Sequence, residues 1–129
     1  MKKTLLFICL AFCFVVLFTG CLEPEASSGS FSPPGWIRGT WADTTQVNTH
    51  TFTAHTITFR STYTAANISS MYEDDEVIEI ITDSLYQFTV NSDSVFVVTC
   101  RYELFAPNTL NFTQVYPGGT SEPTEMKKQ

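Results

Sequence analysis

The clearest run, from Val95 to Leu104, alternates cleanly in its second half. Phe96, Val98, Cys100, Tyr102 and Leu104 hold the even positions; Val95, Val97, Thr99, Arg101 and Glu103 hold the odd ones. Successive side chains of a strand point to opposite faces, so the pattern predicts a strand with its even set inward. Tyr86, Phe88 and Val90 give a similar inward set in the preceding run, Ile78 and Ile80 in the one before that, and Leu110 and Phe112 in the one after. Polar clusters of hairpin length separate these runs, at Thr82–Ser84, Asn91–Ser94 and Ala106–Asn108. Thr53–Thr56 predicts a further turn, with His55 as a residue that tolerates positive φ.

No long stretch repeats with a helical period, and Ala65–Tyr72 is the one segment expected to form a short helical turn. About eight strands result, over 36–42, 47–53, 56–60, 77–82, 85–90, 95–104, 109–115 and 123–128. Short loops between neighbours imply consecutive antiparallel pairing. Closing such a sheet removes its two exposed edges. The expected fold is therefore all-β, a small antiparallel up-and-down barrel, with a β-sandwich as the alternative.

The start of the chain follows a different pattern. Lys2 and Lys3 precede an unbroken apolar run from Leu5 to Phe18, and Thr19-Gly20-Cys21 closes it. A charged start, an apolar span and small residues are the layout of an export signal. Fourteen residues rise about 21 Å as a helix, short of a hydrocarbon core roughly 30 Å thick. An uncleaved membrane helix is the weaker alternative, and an unlipidated secretory signal another. The Thr19-Gly20-Cys21 ending resembles the lipobox of bacterial lipoproteins, although Phe18 stands where that motif usually has Leu. The resemblance implies cleavage after Gly20 and acylation of Cys21, which would anchor the protein in the membrane. Leu22 at the next position is not the Asp that retains lipoproteins at the inner membrane of enteric bacteria. An outer-membrane location in the cell envelope is expected. Residues 1–20 read as signal peptide, 21–35 as lipidated Cys21 and a flexible Ser-, Pro- and Glu-rich tether, and 36–129 as the barrel domain.

Processing changes the charge and the cysteine inventory. The formal net charge of the whole chain is −6, and the loss of Lys2 and Lys3 with the leader takes it to −8. That balance argues against a nucleic-acid partner, which needs a basic face. Cys9 and Cys13 leave with the leader and Cys21 is the lipid site, so Cys100 would remain alone, without a disulfide partner. Its place in the inward set predicts a buried, inert thiol.

A second resemblance rests on Gly39-Thr40-Trp41, where Gly-x-Trp on the first strand resembles the lipocalin signature. Trp36–Trp41, the Tyr86–Val90 strand, Asn108–Phe112 and the terminal Glu125–Lys128 extend it. Together they are similar to small lipocalin-like lipoproteins common in Bacteroidetes, and the likeness spans Trp36 to Gln129. It implies a lipocalin-like barrel and, for the aromatic interior, a cup for a small apolar ligand. Ile37, Trp41, Phe88, Phe96, Val98 and Tyr102 would line it. Lipocalins often pack a late Arg or Lys across the Trp; Arg101 lies on the outward set, which leaves Lys127 or Lys128.

Other chemistry finds little footing. His50 and His55 are five apart and lack Cys or acidic ligands at metal spacing, so no metal or other cofactor is expected. Glu73-Asp74-Asp75-Glu76 reads as a solvated loop, without the Asp/Asn spacing and Gly of a calcium loop. Neither a phosphate-binding Gly-rich loop nor a nucleophile elbow is present, and the chain is not expected to be an enzyme. The expected function is a membrane-anchored envelope lipoprotein with a lipocalin-like domain binding a small apolar ligand. The alternative is a structural or interaction lipoprotein with a filled barrel and a protein partner, docked first at the acidic loop.

Overall fold

The computed structural model describes residues 26–28, 30–91 and 97–129. The leader, Cys21 and Phe96 lie outside the described residues. The chain enters the sheet at β1 (Ala26–Ser28). It continues through β2 (Gly39–Asp43), β3 (Thr49–Phe52), β4 (Ile57–Arg60) and β5 (Ala65–Asn67), then a single helical turn, α1 (Ile68–Met71). β6 (Glu76–Ile81), β7 (Leu85–Asn91), β8 (Val97–Ala106), β9 (Thr109–Tyr116), β10 (Gly119–Thr120) and β11 (Thr124–Lys128) follow.

All neighbouring strands pair antiparallel, in the order β1-β6-β7-β8-β9-β11-β2-β3-β4-β5, with β10 on β9. Two meanders, β2–β5 and β6–β9, are joined by β11, which pairs Met126 with Asp43 on β2 and with Leu110 on β9. This is the up-and-down order of a small barrel, and the sheet curls into a half-barrel. The expected closure is not complete. Among the described residues no strand pairing joins β5 to the β1/β6 edge. α1 packs at the β5 end, where Asn67 Oδ1 accepts from Ser70 N (3.3 Å) as an N-cap and Ile68 enters the core.

The alternation on β8 is as the sequence predicts. Cys100 and Tyr102 are buried with Tyr86, Phe88 and Val90 of β7, while Arg101 and Glu103 pair at 3.3 Å on the outer face. At the end of β8 the register shifts between Leu104 and Ala106, and Phe105 is the extra, exposed residue. The hairpin that follows turns through Asn108 at φ 57°. Left-handed backbone falls there and at Gln46 (φ 57°), and His55 does not take it.

Three expectations are corrected. Ile78 and Ile80 do not face inward. β6 pairs Val77 with Val90 and Glu79 with Phe88, so Val77 and Glu79 take the inner face. The run Glu76–Ile81 is apolar in both phases and gives little basis for choosing one. The inner face needs an acceptor: Glu79 Oε1 receives the Tyr86 hydroxyl (2.5 Å), and its two oxygens receive Ser32 N at 2.9 and 3.1 Å. Trp36–Arg38 is not strand but a tight turn, with Ile37 N donating to Pro34 O (3.1 Å) and Arg38 N to Gly35 O (3.3 Å).

The segment expected as tether is the third correction. Ala26–Ser28 pairs with Glu76–Ile78 of β6, and Phe31 is buried at 1% exposure, edge-on to Phe88 at 5.2 Å. Apolar area removed from water outweighs the Ser and Pro content around it. Phe31→Ala should therefore destabilise the fold by about 3–5 kcal/mol, as a buried Phe does and a tether residue does not. Urea unfolding followed by Trp fluorescence measures the difference.

Candidate functional site

The interior has two unlike ends. Toward the end marked by Ile37 and Phe52 it is filled. Trp41 is fully buried and its Nε1–H donates to Ile37 O (2.6 Å), tying the turn before β2 beneath the ring. Lys128 Nζ stands 5.4 Å from the Trp41 ring, a cation–π contact from the last strand. Gly39 makes room for it: its φ is +121°, and a Cβ there would meet Lys128 Cε at 3.0 Å. The Gly39-Thr40-Trp41 segment and Lys128 thus act as one packing unit at the β2–β11 junction.

Rings occupy the middle of the half-barrel. Tyr102 is fully buried and meets Phe52 edge-on at 5.0 Å and Phe112 in a stacked contact at 4.9 Å. Phe88 connects this group to Phe31. His50 sits between Trp41 and Phe59 in the strand register. Its imidazole stacks on Phe59 at 4.2 Å and meets Phe112 edge-on at 4.6 Å. Its Nδ1 lies 3.2 Å from the Tyr102 hydroxyl.

Beyond His50 the filling stops. A cavity of about 350 Å³ opens there. His50, Phe59, Phe112, Ala66 and Met126 form its apolar and aromatic wall, and Arg60 lines it at an exposed position. Asn48, Ser61, Thr64, Gln114 and Thr124 complete it, so no acidic residue lines it. The geometry follows from the strand ends. β2, β4 and β9 all finish at this end, and turns bring Asn48, Ser61 and Thr64 there, beside Gln114 and Thr124 from the ends of β9 and β11.

Burial keeps the imidazole on this wall neutral. Burial lowers the His50 pKa from 6.5 to about 4, against a smaller upward pull from the Asp43 carboxylate. Asp43 itself organises the β2–β3 turn. Its Oδ1 accepts from Thr45 Oγ1 (2.9 Å) and Val47 N (3.0 Å), and its Oδ2 from Asn48 Nδ2 (2.7 Å). Burial works to raise this carboxyl, but the bonds from Asn48, Thr45 and Val47 together outweigh it and hold it below the usual range. Burial pushes the Cys100 thiol up to about 12, so it is a packed, protonated side chain rather than a nucleophile.

Five of the six residues expected to line a ligand cup do not line this cavity. Ile37, Trp41, Phe88 and Tyr102 are packed in the core, Val98 is half-buried against it, and Phe96 lies outside the described residues. His50, Phe59, Phe112 and Arg60 stand there instead. The signal for His50 was its alternation with Phe52, which puts an imidazole on an inner face, and Phe59 alternates with Ile57 in the same way. His55 stands apart from His50 in the Thr53–Thr56 turn, where its backbone N donates to Thr53 Oγ1 (3.3 Å). The acidic residues Glu73–Glu76 form the connection from α1 into β6 and its first residue, and Glu76 Oε2 accepts from Asn91 Nδ2 (3.1 Å). Among the described residues no three His, Cys, Asp or Glu side chains are grouped to hold a metal ion.

No family model, no curated protein and no solved structure matches this chain.

Two outcomes follow from these contacts. Gly39→Ala should cost of order 1–3 kcal/mol, because a side chain at positive φ is strained and its Cβ displaces Lys128; the fall in the urea midpoint measures it. The second concerns acid. His50 binds its proton at about pH 4 when folded and near 6.5 when unfolded, so the unfolded state takes up more protons between these values. Stability is complete above pH 6.5 and falls as pH drops toward 4, by about 3 kcal/mol in all. Asp43, with its folded pKa lowered, continues the loss in the same direction at lower pH. Urea unfolding between pH 4 and 7.5 should show the slope, and the double variant His50→Phe/Tyr102→Phe should flatten its upper part.

Proposed function

We propose that this chain is a membrane-anchored envelope lipoprotein whose lipocalin-like half-barrel binds a small, mainly apolar ligand in the cavity beside His50. The cavity carries the reading. At about 350 Å³, walled by His50, Phe59, Phe112, Ala66 and Met126, it falls in the range of small-molecule sites. The Gly39-Thr40-Trp41 signature with Lys128 across the Trp supports the lipocalin-like part. The charged, apolar and Thr19-Gly20-Cys21 sequence of the leader supports anchoring through a lipid on Cys21, and Leu22 supports the outer membrane. In this reading the protein holds a ligand and does not transform it.

The second reading is a structural or protein-interaction lipoprotein without a ligand. The packing of Ile37, Trp41, Phe88 and Tyr102 favours it, since the centre of the barrel is already full.

Ala66→Trp separates the two. Ala66 is half-buried on the cavity wall, and an indole there fills the space without entering the core. Denaturing extraction and mass spectrometry of the protein from its own membranes should yield a small apolar compound from the native chain and at least ten-fold less from the variant, with an unchanged melting temperature. Extraction of nothing from either, together with no uptake of added naphthalene probes, favours the interaction reading. Cys21→Ala should move the protein from the membrane to the soluble fraction.

A further inference from the structure

The Tyr102–His50 hydrogen bond has a direction, and the direction decides what the cavity offers a ligand. Tyr102 is fully buried, and the described contacts give its hydroxyl one partner, His50 Nδ1. A buried O–H must donate to something. If Nδ1 carried the proton, it would donate to Tyr102 and leave the hydroxyl proton with no acceptor. The arrangement that satisfies both groups has Tyr102 donating to a bare Nδ1. Neutral imidazole then carries its proton on Nε2.

Nε2 has no hydrogen-bond partner among the described residues, yet no buried polar side-chain atom of the described residues is unsatisfied. Nε2 is therefore not sealed off, and the open space at His50 is the cavity. The imidazole thus presents a fixed N–H donor from a wall whose other members, Phe59, Phe112, Ala66 and Met126, are apolar. Arg60 adds a guanidinium that pairs with no carboxylate among the described residues, and no acidic side chain lines the space.

We infer that the cavity selects an apolar molecule bearing a carbonyl or carboxylate oxygen, which accepts from His50 Nε2–H while its apolar body lies against Phe59 and Phe112. This rests on the cavity being a binding site, as proposed above, and adds the chemical class it takes. Tyr102 is the positioning residue: it touches no ligand and sets which nitrogen of His50 holds the proton. Arg60 adds affinity for the carboxylate over the carbonyl. A plain hydrocarbon has no atom to accept from that N–H.

The chain has two histidines, so ¹⁵N-histidine labelling of the full chain gives a spectrum with two rings to assign. At pH 7.5 the His50 ring should show a protonated Nε2 and an unprotonated Nδ1. 2-Acetylnaphthalene, 2-naphthoate and 2-ethylnaphthalene share one apolar body and differ in the acceptor. The first two should shift the His50 Nε2–H resonance and bind roughly five-fold or more tighter than the hydrocarbon, the size of one net hydrogen bond. Arg60→Gln should weaken the naphthoate and leave the ketone unchanged. In His50→Phe/Tyr102→Phe, which removes both polar partners together, the ketone should bind no tighter than the hydrocarbon, while the naphthoate keeps only the advantage that Arg60 supplies. A protonated Nδ1, or equal binding of ketone and hydrocarbon to the native chain, overturns the inference while the cavity remains a binding site. Binding of none of the three overturns both.

Discussion

Tyr102 carries a hydroxyl to a place that water does not reach, and much of the interior is arranged around that fact. Its ring contributes the apolar area that fills the half-barrel, touching Phe52, Phe88 and Phe112. Its oxygen demands a partner, because an unpaired buried hydroxyl costs more than most single contacts return. The partner is His50, which must then itself be buried and neutral. Tyr86 poses the same problem one strand away, and Glu79 answers it from β6. That second solution draws in the N-terminal segment, since the carboxylate also takes Ser32 N. Two tyrosine hydroxyls thus fix the inner phase of β6, the place of Phe31 and the tautomer of His50.

The division of the interior into a filled and an open end has a geometric cause. Inward positions in mid-strand meet side chains from every direction, and large rings leave no room between them. Toward the Asp43 end the strands run out, and turns bring Ser61, Thr64 and Asn48 in place of rings. His50 lies at the boundary, with one nitrogen in the packed region and the other facing the space.

The sequence was most legible where one face alone is apolar. β7 and the second half of β8 alternate cleanly: Tyr86, Phe88, Val90, Cys100 and Tyr102 are buried, and Val98 and Leu104 are half-buried against them. The turns at Thr53–Thr56 and Ala106–Asn108 could be read from their polar and proline residues, as could a helical turn within Ala65–Tyr72. Where both faces were apolar, as in Glu76–Ile81, the phase depended on partners that only the tertiary fold supplies. Ala65–Asn67 has no strand composition at all and pairs because β4 offers it an edge. Phe31 was hidden because a single aromatic in a Ser- and Pro-rich stretch has no period. The site was the least legible part. Its walls come from the ends of β3, β4, β9 and β11, and the register of those strands is a property of the sheet rather than of any one run.

The junction of β2 with β11 bears on how the molecule forms. It pairs Asp43 with Met126 and Trp41 with Lys128, partners more than eighty positions apart. Loop-closure entropy makes such contacts slow to form, while the hairpins within β2–β5 and β6–β9 join residues a few positions apart. Those two meanders are therefore the natural early units, each exposing an unpaired edge until the other arrives. The last strand, set between β9 and β2, is what turns two halves into one sheet. Until it docks, Trp41 lacks both Lys128 above its ring and the neighbouring strand beside it. The indole that ties the turn before β2 is thus also the natural reporter of the slowest step in assembly.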